Sequence, residues 1–195
     1  PDRARQAMDE SGFGDCRLMP PITYMVSSSD IALQQAELLR EMWMDELGCD
    51  EDQIVIEQVQ FGALLASTRP DAANQRPDLW DLGWASYYPD QANWLGDVLH
   101  CTDSENRQLR PCSDVDQVIG RANRNVTVSE RWELYREAER AFFAEQAIEP
   151  ISPLFVRGDY VLRQGWVSHT PRHFGGEQYD TYTVNAEVKD LERTR

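Results

Sequence analysis

The fold is decided by residues 21–59, which read PITYMVSSSDIALQQAELLREMWMDELGCDEDQIVIEQV. Two apolar runs rich in β-branched and aromatic residues, 21–26 and 53–59, predict two strands. Between them, apolar residues recur at helical spacing from Asp30 to Leu47, and Gly48 can close that helix in the left-handed conformation. Strand, helix and strand in this order predict a parallel βαβ unit, and therefore an α/β fold with helices flanking the sheet.

The rest of the chain continues the alternation of strands and helices. The longest predicted helix, 128–147, begins with a capping box of Thr127 and Glu130. Its apolar stripe consists of Trp132, Tyr135, Ala138 and Phe142. Shorter helices are predicted at 3–10, 63–68 and 115–123; strands are predicted at 79–84, 151–156, 160–163 and 182–188, with a loop at 164–179.

The charge of the chain limits its partners. The net charge is −15, from 34 acidic and 19 basic residues. Such a chain repels nucleic-acid phosphates and anionic lipid headgroups. No apolar run approaches the roughly 20 residues that span a bilayer. We therefore expect no nucleic-acid partner and no membrane insertion.

The four cysteines favour an oxidising compartment. Cys101 and Cys112 enclose ten mostly polar, turn-prone residues, a loop that a disulfide closes easily. Cys16 and Cys49 each precede a predicted strand, and neighbouring parallel strands would bring them together, so a second bridge stays open. The sequence contains no C-x-x-C motif, so it gives no support to a zinc site or to thiol redox chemistry.

The densest aromatic cluster is DLGWASYYPDQANWL at 81–95. Aromatic residues in a Gly- and Pro-containing loop after a parallel strand suit the wall of a ligand cleft, because ligands bind at the carboxyl ends of such strands. Ordinary core packing under a loop is the alternative. The sequence alone does not decide between the two.

Catalytic and metal sites find little support. Asp78, Asp81 and Asp90 could pair as hydrolytic carboxylates, but clustering is expected by chance among 34 acidic residues. His169 and His173 are separated by Pro171, which argues against the shared helical face of a metal pair. We predict no catalytic residue, no metal and no cofactor.

Four segments together resemble the C-terminal part of the family 5 (peptide/nickel-type) solute-binding proteins of ABC importers, the oligopeptide- and dipeptide-binding relatives. They are PDRARQAMDESGFGD at 1–15, ITYMVSSSDIALQQAELLREMWMDELGCD at 22–50, PDLWDLGWASYYPDQANWL at 77–95 and RWELYREAERAFFAEQAIEPISPLFV at 131–156. The order and spacing of the segments carry the resemblance more than any one motif.

The resemblance implies a periplasmic-binding-protein-like lobe in a mixed sheet. Residues 1–173 would form the C-terminal substrate-binding lobe, and residues 174–195 a tail that packs on a missing N-terminal lobe. The chain, which begins at Pro1, would then be a fragment that works at the periplasmic or extracellular face of the cytoplasmic membrane with ABC permease subunits. In dipeptide-binding relatives the pair that matches Cys101 and Cys112 is bridged.

Three positions depart from the family's peptide contacts. Tyr87 stands where peptide-binding relatives carry an aspartate for the α-ammonium, Asp81 where the oligopeptide binder carries a carboxylate-binding arginine, and Gln60 where it carries a tryptophan. We therefore expect a small solute that is peptide-like, cationic or otherwise not zwitterionic. The predicted ligand-binding residues are Gln60, Asp81, Trp84, Ser86, Tyr87, Tyr88 and Asp90.

The sequence thus predicts a binding module and not an enzyme. Two alternatives stay open: a carboxylate-based hydrolase, and a sensory or scaffolding domain on the same fold. A hydrolase would lose turnover when Asp81 or Asp90 is replaced by asparagine, whereas a binding module has no turnover to lose.

Overall fold

The computed structural model describes residues 1–144, 148, 150–156, 162–169 and 179–193, without the side chains of 73–75, 179, 192 and 193. The chain divides into two compact units, and each has a hydrophobic core of its own. Unit 1 consists of Pro1–Trp84 with Glu105–Leu109, and unit 2 of Ala85–Ser104 with Arg110–Arg195. The sequence did not predict this division. The predicted boundary between 173 and 174 lies outside the described residues.

Unit 1 is an α/β unit, as the sequence predicts. Its elements are α1 (Asp2–Glu10), β1 (Ile22–Ser27), α2 (Asp30–Leu47), β2 (Ile54–Val59), α3 (Phe61–Ser67) and β3 (Leu79–Trp80). The sheet has the order β2-β1-β3, and both pairings are parallel. The register of β1 and β2 runs from Ile22 opposite Ile54 to Ser27 opposite Val59. The βαβ prediction and the α/β fold class are therefore confirmed.

Helix α2 has the signals expected at both of its ends. The Ser29 hydroxyl accepts a hydrogen bond from the Ala32 backbone N–H at 3.1 Å, which satisfies one orphan amide of the first turn. Gly48 ends the helix at φ 71°, a conformation that glycine adopts without a steric penalty. The side chains of Ala32 and Ala36 are buried in the core that α2 forms with β1.

Strand β3 is shorter than predicted. It covers Leu79–Trp80 instead of 79–84, although the Asp81 N–H still donates to the Met25 carbonyl at 3.3 Å. The chain then leaves the sheet within the segment Asp81–Trp84, which contains Gly83. Glycine weakens a strand because it has no side chain to pack against its neighbours.

Unit 2 is mostly helical. It contains α4 (Ala92–Trp94), a π-helical turn at Leu95–Leu99, α5 (Asp114–Arg124), α6 (Val128–Phe143), an antiparallel pair of β4 (Val167–His169) and β5 (Tyr182–Val184), and α7 (Ala186–Arg193). Its core is built from the π-helical turn, α5 and α6. The buried side chains there are Leu95, Leu99, Val115, Val118, Ile119, Ala122, Tyr135, Ala138 and Phe142.

The predicted capping box at the start of α6 is wrong. Thr127 occupies the N-cap position, but its side chain makes no capping hydrogen bond. Asn125 takes over instead: its Oδ1 accepts from the Thr127 N–H at 2.8 Å, and its Nδ2 donates to Glu130 at 3.1 Å. An asparagine side chain makes this local turn readily and so competes with the cap.

Other predicted features of α6 and the segment after it also need correction. Trp132 is 57% exposed and lies outside the buried stripe. The helix ends at Phe143, four residues before its predicted end at 147. Residues 145–147 are not among those that the structure describes. Residues 151–156 are described and form no strand; Val156 is 98% exposed. The apolar run has the composition of a strand, but composition forms a strand only where a neighbour is in place to pair with it.

The C-terminal segment differs from its prediction in two ways. The predicted loop 164–179 contains β4, which pairs with β5 and stacks His169 on Tyr182 at a ring-centroid distance of 4.3 Å. The predicted strand 182–188 is only three residues long, because α7 begins at Ala186. Of the predicted strand 160–163, residues 162–163 are not strand, and residues 160–161 lie outside the described range, as does His173.

Both disulfides anticipated from the sequence are present. Cys16 is bonded to Cys49 in unit 1, and Cys101 to Cys112 in unit 2. Within the described ranges, no helix is both long and apolar enough to cross a bilayer.

Candidate functional site

The carboxyl edge of the sheet in unit 1 is a candidate binding site. Strands β1, β2 and β3 run parallel, so their carboxyl ends meet at this edge. Gln60 directly follows β2 and is the exposed N-cap residue of α3, and Asp81 directly follows β3. The structure thus brings two predicted ligand residues to the edge where ligands bind in open α/β sheets.

Asp81 is a half-buried carboxylate at this edge. Its backbone is held by the hydrogen bond to Met25, and strand alternation places it on the same sheet face as Tyr24. Burial raises the pKa of Asp81 above its ordinary value. Burial, together with the nearby charge of Asp81, raises the pKa of Tyr24 to about 12.

Two arginines support the end of β3 and the end of α3. The Arg76 guanidinium lies over the Trp80 ring, 5.2 Å from its centroid, and donates to the Thr68 carbonyl at 2.6 Å. Arg107 donates to the Leu65 carbonyl at 2.7 Å. Burial, and then the charge of Arg107, lower the pKa of Arg76. Both guanidinium groups therefore satisfy carbonyls at the C-terminus of α3, where cations are favourable.

In unit 2, the aromatic loop (residues 85–91) carries a further group of predicted ligand residues. Trp84 is half-buried at the end of unit 1, and Ser86 follows in unit 2. Tyr87 is 77% exposed, and its N–H donates to the Asn93 side chain at 3.3 Å. Tyr88 is 41% exposed, and its hydroxyl donates to Asp97 at 3.2 Å. The loop therefore presents two tyrosine rings to solvent from a backbone anchored by buried Asn93.

The Asp90 carboxylate forms hydrogen bonds within the protein. Its Oδ1 accepts hydrogen bonds from the Ala92 N–H at 2.8 Å and from Arg131 at 2.7 Å. Arg131 also donates to the Tyr135 hydroxyl at 2.9 Å, and this hydroxyl donates to Asn123 at 2.8 Å. The carboxylate that the sequence proposed as a ligand contact thus ties the aromatic loop to α6.

Sequence reasoning missed the residues that hold the aromatic loop. Arg131 and Tyr135 were noted only as part of a helical motif, and Asn93 and Asp97 not at all. One signal was present in the sequence: Arg131 and Tyr135 are four residues apart, so they share one face of α6. Their partner Asp90 lies 41 residues away from Arg131, and the sequence pattern does not specify that contact.

One group in unit 2 has the spacing of a metal site but serves the structure. His100, Cys101 and Asp116 bring possible ligand atoms within 4.8 Å of one another. However, the Cys101 sulfur is bonded to Cys112, and Asp116 forms a buried ion pair with Arg110. Asp116 also accepts the backbone N–H groups of Cys101 and Ser113. These bonds leave the group no free set of ligands.

No family model and no curated protein matches the sequence, but solved structures do. The murein tripeptide-binding protein MppA of Escherichia coli matches 71% of this chain with a TM-score of 0.62 and 20% identity. A periplasmic oligopeptide-binding protein of Borrelia burgdorferi, OppAIV, matches 72% with a TM-score of 0.61 and 17% identity. The chain has the fold of a segment of periplasmic peptide-binding proteins.

The matched structures are much longer than this chain. OppA of Burkholderia pseudomallei, which matches 70% of the chain with a TM-score of 0.58 and 23% identity, is itself covered to only 25%. MppA is covered to 26% and OppAIV to 27%. The chain therefore spans about a quarter of the length of the peptide-binding proteins it resembles, and the resemblance predicted from its sequence is confirmed in the fold.

Proposed function

We propose that this chain is part of an extracytoplasmic solute-binding protein that serves an ABC importer. The observation that carries the proposal is the fold it shares with MppA, a murein tripeptide-binding protein, and with OppAIV, a periplasmic oligopeptide-binding protein. The solute would be small and peptide-like, and it would bind between this lobe and a second lobe of the same protein. Closure of two lobes around a solute is a shift of population toward the closed state.

The local chemistry supports binding more than catalysis. Gln60 and Asp81 lie at the carboxyl edge of a parallel sheet, and the loop after β3 exposes Tyr87 and Tyr88. Tyrosine rings bury large areas on a ligand while their hydroxyl groups form hydrogen bonds. The Asp90 carboxylate, which a hydrolase would need for chemistry, already accepts hydrogen bonds from Arg131 and from the Ala92 backbone.

The disulfides and the length of the matched structures support a location and partners for this protein. Two disulfides suit an oxidising compartment such as the periplasm. The short coverage of the matched structures supports a missing N-terminal lobe, and an importer requires ABC permease subunits for delivery. One lobe alone buries too little of a ligand for tight binding, so the complete protein is the form to test.

The test is to purify the protein encoded by its complete gene and identify any bound solute by mass spectrometry. Calorimetric titration with di- and tripeptides and with inorganic cations then gives affinities. We expect a tight complex from which the solute is recovered chemically unchanged. Tyr87→Ala should weaken binding about 2- to 10-fold through loss of one aromatic contact, whereas Trp132→Ala, which removes an exposed ring from α6, should not.

Two results would contradict the proposal. Conversion of a solute during titration, lost in Asp81→Asn, would favour the hydrolase. If the protein bound a solute tightly but vesicles containing its ABC permease subunits did not take up that solute, the sensory or scaffolding alternative would be favoured.

A further inference from the structure

Like Glu37, Asp81 is a partly buried carboxylate without an ion pair among the described residues, but Asp81 lies at the carboxyl edge of the sheet. Asp116 pairs with Arg110, and Asp90 pairs with Arg131. In the part of the chain that the structure describes, no arginine, lysine or histidine nitrogen lies within 4.0 Å of the Asp81 carboxylate. Asp81 is therefore half-buried without a compensating cation.

The cation nearest to Asp81 along the chain is committed elsewhere. Arg76 donates to the Thr68 and Arg69 carbonyls at 2.6 and 2.7 Å and lies over the Trp80 ring. Swinging it toward Asp81 would break these contacts and leave carbonyls at the end of α3 without a donor. Arg76 is thus held against Trp80 and the end of α3, and it forms no ion pair with Asp81.

An uncompensated, half-buried charge is unfavourable for folding. Removing a carboxylate from water weakens its hydration, and no ion pair with a described residue offsets that loss at Asp81. The Asp81 N–H bond to Met25 holds the backbone of Asp81 at the end of β3. A carboxylate of this kind in a cleft or at a sheet edge is a candidate for contact with a ligand that supplies the partner.

We propose that Asp81 selects a solute with a cationic group, an ammonium or a guanidinium, and rejects a solute that places a carboxylate at the end of β3. This inference rests on the proposed function and specifies its substrate class. The cationic group donates hydrogen bonds to the Asp81 carboxylate and neutralises it. A solute carboxylate at the same place would put a second negative charge beside Asp81, which has no ion-pair partner among the described residues.

The test uses four probes that differ in charge: trialanine amide (cationic), trialanine (zwitterionic), N-acetyl-trialanine amide (neutral) and N-acetyl-trialanine (anionic). Each is titrated calorimetrically at pH 7 into the complete protein, the Asp81→Asn variant and the Asp71→Asn variant. Asp71 is an exposed aspartate of the same unit. We expect the cationic probe to bind most tightly and the anionic probe most weakly.

The variants separate charge selection from a structural role. Asp81→Asn should weaken binding of the cationic probe about 10- to 100-fold, as expected for a charge-assisted hydrogen bond, and leave the neutral probe unchanged. Asp71→Asn should change neither. In the ligand-free protein, Asp81→Asn should raise the denaturant midpoint, because it removes an uncompensated charge.

Failure of this inference differs from failure of the proposed function. Equal or tighter binding of the zwitterionic or anionic probe, or equal weakening of the cationic and neutral probes by Asp81→Asn, overturns charge selection while solute binding stands. If no probe binds and no solute co-purifies, the proposed function is wrong and the inference fails with it.

Discussion

At the scale of single residues, the strongest electrostatic feature is the buried pair of Arg110 and Asp116. Arg110 donates to both carboxylate oxygens and to the Leu99 carbonyl at 3.0 Å, and its guanidinium lies over the Phe142 ring at 5.2 Å. Burial alone would raise the pKa of Asp116. The hydrogen bonds from Arg110, Ser113 and Cys101 outweigh it and lower the pKa to about 2.

Replacement of Asp116 by asparagine should be strongly destabilising at neutral pH. The change leaves the Arg110 charge buried without its partner, which typically costs about 3–5 kcal/mol of unfolding free energy. Because the folded-state pKa of Asp116 lies below its ordinary 3.8, its stabilisation is complete above about pH 4 and is lost as the pH falls toward 2. The difference between wild type and variant should therefore shrink by about 2 kcal/mol from pH 6 to pH 2. Urea denaturation at both pH values measures it.

The matched control is Asp114→Asn, an exposed carboxylate in the first turn of the same helix. It should change the unfolding free energy by less than about 1 kcal/mol at pH 6. A difference between wild type and Asp116→Asn that stays constant from pH 6 to pH 2 would show that Asp116 acts through its shape and not through its charge.

At the scale of elements, α6 holds the aromatic loop through one residue. Arg131 donates to Asp90 of the loop and to Tyr135 of its own helix. Arg131→Met should lower the unfolding free energy by about 1–2 kcal/mol, because it leaves Asp90 without this charge-assisted partner. Under the proposed function it should also weaken solute binding, since it loosens the backbone of Tyr87 and Tyr88. Urea denaturation and calorimetry measure the two effects.

Arg136→Met provides the comparison on the same helix. Its ion pair with Glu133 is exposed at both ends, and such pairs contribute at most about 1 kcal/mol. If both arginine variants lost the same stability, or if Arg136→Met weakened binding as much as Arg131→Met, the anchoring role of Arg131 would be excluded.

Elements that depend on local signals could be predicted from the sequence. The βαβ unit of β1, α2 and β2 appeared because apolar periodicity, a serine cap and a terminal glycine agree within 39 residues. The predicted capping box failed because Asn125, two residues before Thr127, makes the competing local turn. The strand at 151–156 failed because strand formation requires a paired neighbour, which composition does not supply.

The positions of the candidate site residues could be predicted from the sequence, but their contacts could not. Gln60 and Asp81 could be assigned to the sheet edge because parallel strands place their carboxyl ends together. Asp90 is bound by Arg131, whereas Asp81 forms no ion pair with any residue that the structure describes, and this difference depends on contacts between residues far apart in sequence. Two aspartates in the same sequence motif thus have opposite electrostatic environments, and only the folded structure separates them.

At the scale of the whole molecule, each compact unit has its own core and its own disulfide. The Cys16–Cys49 bridge of unit 1 spans 33 residues, and the Cys101–Cys112 bridge of unit 2 spans 11. Loop-closure entropy predicts a stabilisation of about 4 kcal/mol for the first and about 3 kcal/mol for the second. Replacing Cys16 and Cys49 by alanine should therefore lower stability chiefly within unit 1.

Amide hydrogen exchange read by mass spectrometry distinguishes a local effect from a global one. With Cys16 and Cys49 replaced, the amides of β1, β2 and α2 should exchange faster while those of α5 and α6 keep their protection, because the second core and its bridge are untouched. Replacing Cys101 and Cys112 should reverse the pattern. Equal acceleration in both units from either pair of replacements would mean that the two cores unfold as one cooperative unit, and the division of stability between them would be wrong.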